Sequence, residues 1–218
     1  MRSKVVIWGA AGHAMVVADI IRLRNELEIV GFLDDVSPER AGTTFCRAMI
    51  LGGREQLDSL RSHSVESVIL GFGKNLVRLS LAELVRSKGY QLATAVHPNA
   101  TVADDARIGA GTVIKAGAVI DPGVAIGENV IIGACACVGH GSRVGDGVRV
   151  SAGASIPGNV TIGRATMIGV GATIRDGVHV GQRSLVGAGA VVVDDIPDGV
   201  VAYGVPARVM RVITQDDN

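Results

Sequence analysis

Every sixth residue from Val96 onward is valine or isoleucine: Val96, Val102, Ile108, Ile114, Ile120, Ile126, Ile132, Val138, Val144, Val150, Ile156, Ile162, Ile168, Ile174, Val180, Val186 and Val192. A ladder this long with no exception leaves one architecture, a left-handed parallel β-helix of hexapeptide repeats, in which each β-branched knob points into a triangular prism. The residue two places before a knob is often small (Ala118, Ala136, Ser142, Ala154, Ala172, Ala190), and the one after is often glycine (Gly109, Gly127, Gly145, Gly163). Small residues fit beside the knob, and glycine supplies backbone freedom where the coil turns. The composition agrees, with 48% apolar residues but only 3% aromatic, and 30 glycines. Such a core must be built from thin layers of Val, Ile and Ala. No insertion interrupts the count, so no catalytic loop is expected to leave the prism.

Before residue 92 the pattern changes to alternating strand and helix. The strand "KVVIW", the turn "GAAGHA", a helix to about Arg24, and the strand "EIVGFL" ending at Asp34 and Asp35 come first. A helix around "REQLDSLRS", the strand "SVILGFG" and a helix through "LVRLSLAELVRSKG" follow. This reads as a βαβαβ unit of a parallel sheet, about half of a dinucleotide-binding fold. The expected organisation is α/β followed by all-β: a Rossmann-like domain over 1–91, the β-helix over 92–196, and a tail over 197–218. "GAAGHA" is either a tight βα turn or a phosphate loop at a helix N-terminus, where free N–H groups and the helix dipole favour anions. The acids that end the second strand favour the nucleotide reading. Because the chain continues into a β-helix rather than a second half-fold, the nucleotide is expected to be a handle on a substrate rather than a redox cofactor.

Stacking gives the chemistry. Three hexapeptides make one turn, so residues eighteen apart lie on neighbouring coils about 4.8 Å apart. His140 therefore falls beside Gly158, in "IPGNV". A near-neutral base next to an open glycine N–H is what acyl transfer needs: one group takes the acceptor's proton, the other faces the developing oxyanion. A lone corner histidine is the plainer reading. His97 and His179 are too far off to make a metal site with it, so no metal is expected. Lys and Arg number 21 and Asp and Glu 21, which leaves no footprint for nucleic acid or an anionic membrane. No apolar run reaches the ~18 residues of a membrane span, nor does the start read as a signal peptide; the chain reads as cytoplasmic. Cys46, Cys135 and Cys137 are not spaced as a disulfide framework or a C-x-x-C motif, and the two in "ACACV" are expected to be small core-compatible residues.

The segments "VVIWGAAGHA", "GFLDD", "GFGKN", "VGHGSRVGDGVRVSAGASIPGNVTIG" and "YGVPAR" together resemble the sugar O-acyltransferase family of the sialic acid O-acetyltransferase type. The chain looks most like its bacterial N-acetyltransferases, which modify the amine of nucleotide-linked amino-dideoxy sugars in polysaccharide biosynthesis. The resemblance implies that His140 is the general base and that the Gly158 N–H faces the acetyl carbonyl. It implies that Gly158, Asp176, Gly204, Pro206 and Arg208 hold acetyl-CoA, Arg208 near its phosphates. It further implies that Gly9, Ala11, Gly12, His13, Asp34, Asp35, Lys74 and Asn75 hold the nucleotide sugar, and that the protein is a homotrimer with the coenzyme between adjacent prisms. Two positions depart from the family: the acid that commonly follows the histidine is Gly141 here, and a second histidine nine residues on is Arg149. An O-acetyltransferase of sialic acid or a related sugar fits the same motifs. So does a trimeric nucleotide-sugar-binding protein without catalysis.

Overall fold

A computed structural model describes residues 2–214. The N-terminal unit is a six-stranded sheet with helices on both faces. In chain order it comprises β1 (Ser3–Trp8), α1 (Gly12–Arg24), β2 (Leu27–Leu33), β3 (Thr44–Phe45), β4 (Ala48–Gly52), α2 (Leu57–Ser62), β5 (Val65–Leu70), α3 (Asn75–Ser87) and β6 (Gln91–Leu92). The strand order is β3-β4-β2-β1-β5-β6, parallel except for the β3–β4 hairpin. Strand β1 is apolar from Val5 to Trp8 because both its faces are covered there: Val5 and Ile7 pack with α1, and Val6 and Trp8 with α2 and α3. Helix α1 stops at Asn25, whose left-handed backbone (φ +55°) caps it with a hydrogen bond to the Ile21 carbonyl.

The β3–β4 hairpin was not expected from the sequence. Its turn is made by Cys46 and Arg47, both left-handed (φ +45° and +62°). Paired positive φ is the geometry usually betrayed by Asn-Gly, and Cys-Arg carries no such signal.

From β7 (Ala95–Val96) to β23 (Val191–Val192) a two-residue strand recurs every six residues. The strands stack into three parallel sheets, the faces of a prism, with pairs such as Val113↔Ile131, Cys137↔Ser155 and Arg143↔Thr161. The first face carries residues 95, 113, 131, 149, 167 and 185, the second 101 to 191, and the third 107 to 179. The second residue of each strand points inward, and from Ile114 to Val192 these knobs are almost wholly buried. Removing one, as in Ile132→Ala, would cost about 2–5 kcal/mol. The eighteen-residue step shortens after Val192: Val180 bridges Ile196, and Leu185 pairs with Val201. The chain then closes the prism with a hairpin, β24 (Val200–Gly204) and β25 (Ala207–Val212). Residues 215–218 of the expected tail lie outside the described residues. The cysteines of "ACACV" are not core residues: Cys135 is exposed at a corner with φ +56°, where the chain turns outward, and Cys137 is half-buried, whereas Cys46 is half-buried against the apolar cluster of α1.

The N-terminal unit sits on the first face of the prism. Ala95 and Val113 belong to the same apolar cluster as α1. Arg78 of α3, 1% exposed, locks the contact. Its guanidinium donates to the carbonyls of Asn129 (2.8 Å) and Gly147 (2.8 Å) on successive coils, and to Gly73 (3.2 Å) and the Asn75 Oδ1 (3.2 Å) on its own side.

Candidate active site

The carboxyl ends of β1, β2 and β5 open into a cavity of about 500 Å³, the usual ligand position of a parallel sheet. Gly9, Ala11, Asp34, Asp35 and Lys74 line it, together with Trp8, Arg40, Arg54, Phe72, Val77 and Leu81. Gly9 has φ +123°, and a Cβ there would lie 2.9 Å from the Gly71 carbonyl oxygen, so only glycine lets the two loops meet. Gly12 begins α1 on an open side, where a Cβ would meet nothing within 4 Å. Both acids already have protein partners. Asp34 accepts from the Val36 and Ser37 N–H groups (3.0 and 3.3 Å) and pairs with Arg40 (3.1 Å). Asp35 accepts from the Trp8 indole (3.2 Å) and from the Arg54 backbone (2.7 Å) and guanidinium (2.8 Å). Their first effect is to shape the cavity wall.

Two of the expected substrate residues are turned elsewhere. The Asn75 side chain is buried and donates to the Ala165 and Thr166 carbonyls (3.1 and 3.3 Å), so it docks the loop onto the prism. The His13 ring faces the seam between the domains. Burial, reinforced by the charges of Lys115, Arg78 and Arg149, pushes it down to about 3, so it is neutral at physiological pH. Its Nε2 is buried with no hydrogen-bond partner. The Lys115 ammonium is pushed down by burial and by Arg149, and burial lowers Arg78 to about 10.

On the prism, His140 lies on the corner between the second and third faces, exposed to solvent, with its ring against Gly158. A Cβ on Gly158 would sit 2.4 Å from His140 Cε1, 2.5 Å from Nε2 and 2.9 Å from Nδ1. The Gly158 N–H donates to no acceptor among the described residues, while its carbonyl accepts from Gly177 (3.1 Å). Asp176 and Asp194 continue the same corner one and two coils further on. Beyond them Arg208 pairs loosely with Asp194 (3.7 Å), both side chains exposed. Gly204 and Pro206 lie in the hairpin turn just before it. The corner is therefore a track along the prism axis with a base and an open N–H at one end and a cation at the other. Gly141 has φ +67°, and a Cβ there would lie 2.7 Å from the Asn159 Oδ1. The position that carries an acid in the resembled family thus has a left-handed backbone here, which glycine adopts without strain.

The nucleotide cavity and the His140 corner do not meet within one chain. The N-terminal unit covers the first face, and His140 stands on the opposite edge. Sequence reasoning missed Arg40, Arg54, Arg78 and Lys115, and marked Arg149 only as a departure from the resembled family. Each is a charged residue on an otherwise ordinary strand, helix or loop, a pattern that reads as solvated surface. Among the described residues no three His, Cys, Asp or Glu side chains converge as a metal site requires, and no helix is long and apolar enough to cross a membrane.

Comparison with known proteins places this architecture. Residues 4–85 match the PglD N-terminal domain, residues 123–157 the hexapeptide repeat of succinyl-transferase, and residues 159–194 the bacterial transferase hexapeptide (six repeats). A UDP-N-acetylbacillosamine N-acetyltransferase of Bacillus subtilis (strain 168) is 34% identical over 113 residues, a stretch that spans about half of each protein (51% of both). A crystal structure of a His-to-Asn mutant of perosamine N-acetyltransferase from Caulobacter crescentus, in complex with CoA and GDP-perosamine, superposes with a TM-score of 0.91 at 34% identity, covering 96% of this chain and 97% of that one. The acetyltransferase domain of PglB from Neisseria gonorrhoeae FA1090, in complex with acetyl coenzyme A, gives 0.90 at 35% identity over 96% and 100%. A Rossmann-like unit seated on a hexapeptide prism thus recurs across whole chains at one-third identity: this protein belongs to the hexapeptide-repeat family of sugar N-acetyltransferases.

Proposed function

We propose that the protein is an acetyl-CoA-dependent N-acetyltransferase that acts on the amine of a nucleotide-linked amino-dideoxy sugar, and that it works as a cytoplasmic homotrimer. The amine lone pair attacks the thioester carbonyl, and the oxyanion that forms faces the open N–H of Gly158. His140 takes the proton from the nitrogen as the C–N bond forms, and the carbonyl re-forms as the C–S bond breaks and coenzyme A leaves as the thiolate. The coenzyme runs along the corner track past Asp176 towards Gly204, Pro206 and Arg208, and the nucleotide lies in the cavity at Gly9, Ala11, Asp34, Asp35 and Lys74.

The observation that carries the trimer is the separation of the two half-sites. His140 stands on the edge opposite the nucleotide unit of its own chain, so a complete site needs the edge of a neighbouring copy brought to that unit. Threefold packing of prisms does this for all three sites at once. A thiol-release assay across a panel of 4-amino sugar nucleotides tests the reaction. Thiol release with an amino sugar nucleotide, and none with its deaminated hydroxyl counterpart, is the expected result. Release only with hydroxyl acceptors would replace this reading by O-acetylation. A monomer at working concentration by light scattering would contradict the shared site.

A further inference from the structure

Arg149 stands on the first face of the prism, half-buried and without a partner. Among the described residues its guanidinium donates no hydrogen bond and meets no carboxylate, and the same holds for the Lys74 ammonium. The fork of Arg149 reaches the loop before α3, where a Cβ on Gly73 would lie 2.9 Å from its Nη1. Both cations line a cleft of about 240 Å³ between that loop and the first face. The cleft follows the coils: Met167 stacks on Arg149 and Leu185 on Met167, and Ile213 adds a third apolar side chain. Lys74 also lines the nucleotide cavity, so the two spaces adjoin at that residue.

A half-buried guanidinium has given up part of its hydration, and here no acceptor of the chain replaces it. Its planar fork matches a carboxylate, which it can hold through two parallel hydrogen bonds. The glycine turn before α1 already offers N–H groups to phosphate within the nucleotide cavity, and the apolar side chains beside Arg149 give a second phosphate nothing to bind. At 240 Å³ the cleft is smaller than the roughly 300 Å³ of a pocket for a whole drug-sized ligand, and suits one part of a larger molecule. We propose that Arg149, with Lys74 beside it, binds a carboxylate on the acceptor sugar, so that the substrate is a nucleotide-linked amino-uronic acid rather than a neutral amino sugar. The carbon skeleton of the sugar then lies against Met167 and Leu185. This rests on the function proposed above and narrows its acceptor to one chemical class.

Calorimetry on the full chain tests it, with UDP- and GDP-linked 4-amino sugars that carry a carboxylate, a hydroxymethyl or a methyl group on C5, and with UDP and GDP themselves. The wild type should bind the carboxylated sugar about 10-fold or more tighter than the methyl one, the usual worth of a charge-assisted contact. Arg149→Gln should abolish that preference, Arg149→Lys should keep part of it, and UDP and GDP affinities should not move. A wild type that binds the carboxylated sugar no tighter than the methyl one overturns the proposal, and this comparison decides by itself if Arg149→Gln lowers Tm by more than about 2 °C. A preference that survives in a folded Arg149→Gln also overturns it. So does a loss shared equally by UDP and GDP, which would make Arg149 a phosphate contact. If the carboxylated sugar binds through Arg149 but releases no thiol from acetyl-CoA, the carboxylate site stands and the transferase reading falls. A wild type that binds none of the probes overturns both.

Discussion

The contact between His140 and Gly158 makes the most exacting prediction. Gly158→Ala adds one methyl at a backbone conformation that L residues adopt, and that methyl would lie 2.4 Å from the imidazole Cε1 and 2.5 Å from Nε2. Ordinary contact begins at 3.4 Å, so the ring must retreat by about 1 Å. Folding should barely register this, because what moves is the exposed end of one side chain. Catalysis should register it strongly: a base displaced by about 1 Å from its proton typically loses about 10²-fold, or roughly 2.7 kcal/mol at 1.36 kcal/mol per decade. Steady-state thiol release should therefore show kcat about 100-fold down, with KM for the sugar nucleotide unchanged and Tm within a few degrees of wild type. A variant with near-wild-type kcat would mean that the ring does not act from its observed position. A variant that fails to fold would mean that the glycine serves the coil rather than the chemistry.

His140→Asn should retain the trimer and acetyl-CoA binding while turnover falls by about 10²–10⁴-fold, the worth of a general base; full activity would assign the ring to positioning or to nothing. Asp35→Ala releases Arg54 and the Trp8 indole from the cavity wall and should raise KM for the sugar nucleotide alone, whereas Arg208→Ala should raise it for acetyl-CoA alone. The reverse pattern would exchange the roles of the two domains. His13 supplies a pH test. Its pKa is lowered from 6.5 to about 3, so the unfolded chain takes up a proton first, and the stability of the neutral buried ring is full above about pH 6.5 and is lost as pH falls towards 3. His13→Gln should flatten the fall of Tm between pH 6.5 and 4; equal slopes in the two proteins would show that another group governs the acid limb.

The hexapeptide prism, the βαβαβ order of the N-terminal unit and the pairing of His140 with Gly158 are all legible in the residues, because each follows from a local period. A β-branched residue every sixth position sets which side chains point inward, and three repeats per turn set which residues stack. The glycines and acids at the ends of β1 and β2 are legible for a similar reason, since strand ends in a parallel sheet converge on one edge. The β3–β4 hairpin was hidden because its left-handed turn is built from Cys46 and Arg47, which carry no turn signature.

What only the tertiary structure decided is how the two units face each other. Nothing periodic marks Arg78 as a buried clamp. On α3 it reads as one more solvated charge, and it becomes the lock between domains only because the carbonyls of Asn129 and Gly147 are presented to it by two coils of the prism. The same docking turns Asn75 from the nucleotide to the prism, brings His13 to Lys115 and Arg149, and leaves His140 on the edge opposite its own nucleotide cavity. Local periodicity determines which residues share a coil or a strand end. Which of three nearly equivalent prism faces receives the N-terminal sheet depends on side-chain packing and hydrogen bonds between residues more than fifty positions apart, and that choice separates the two halves of the site.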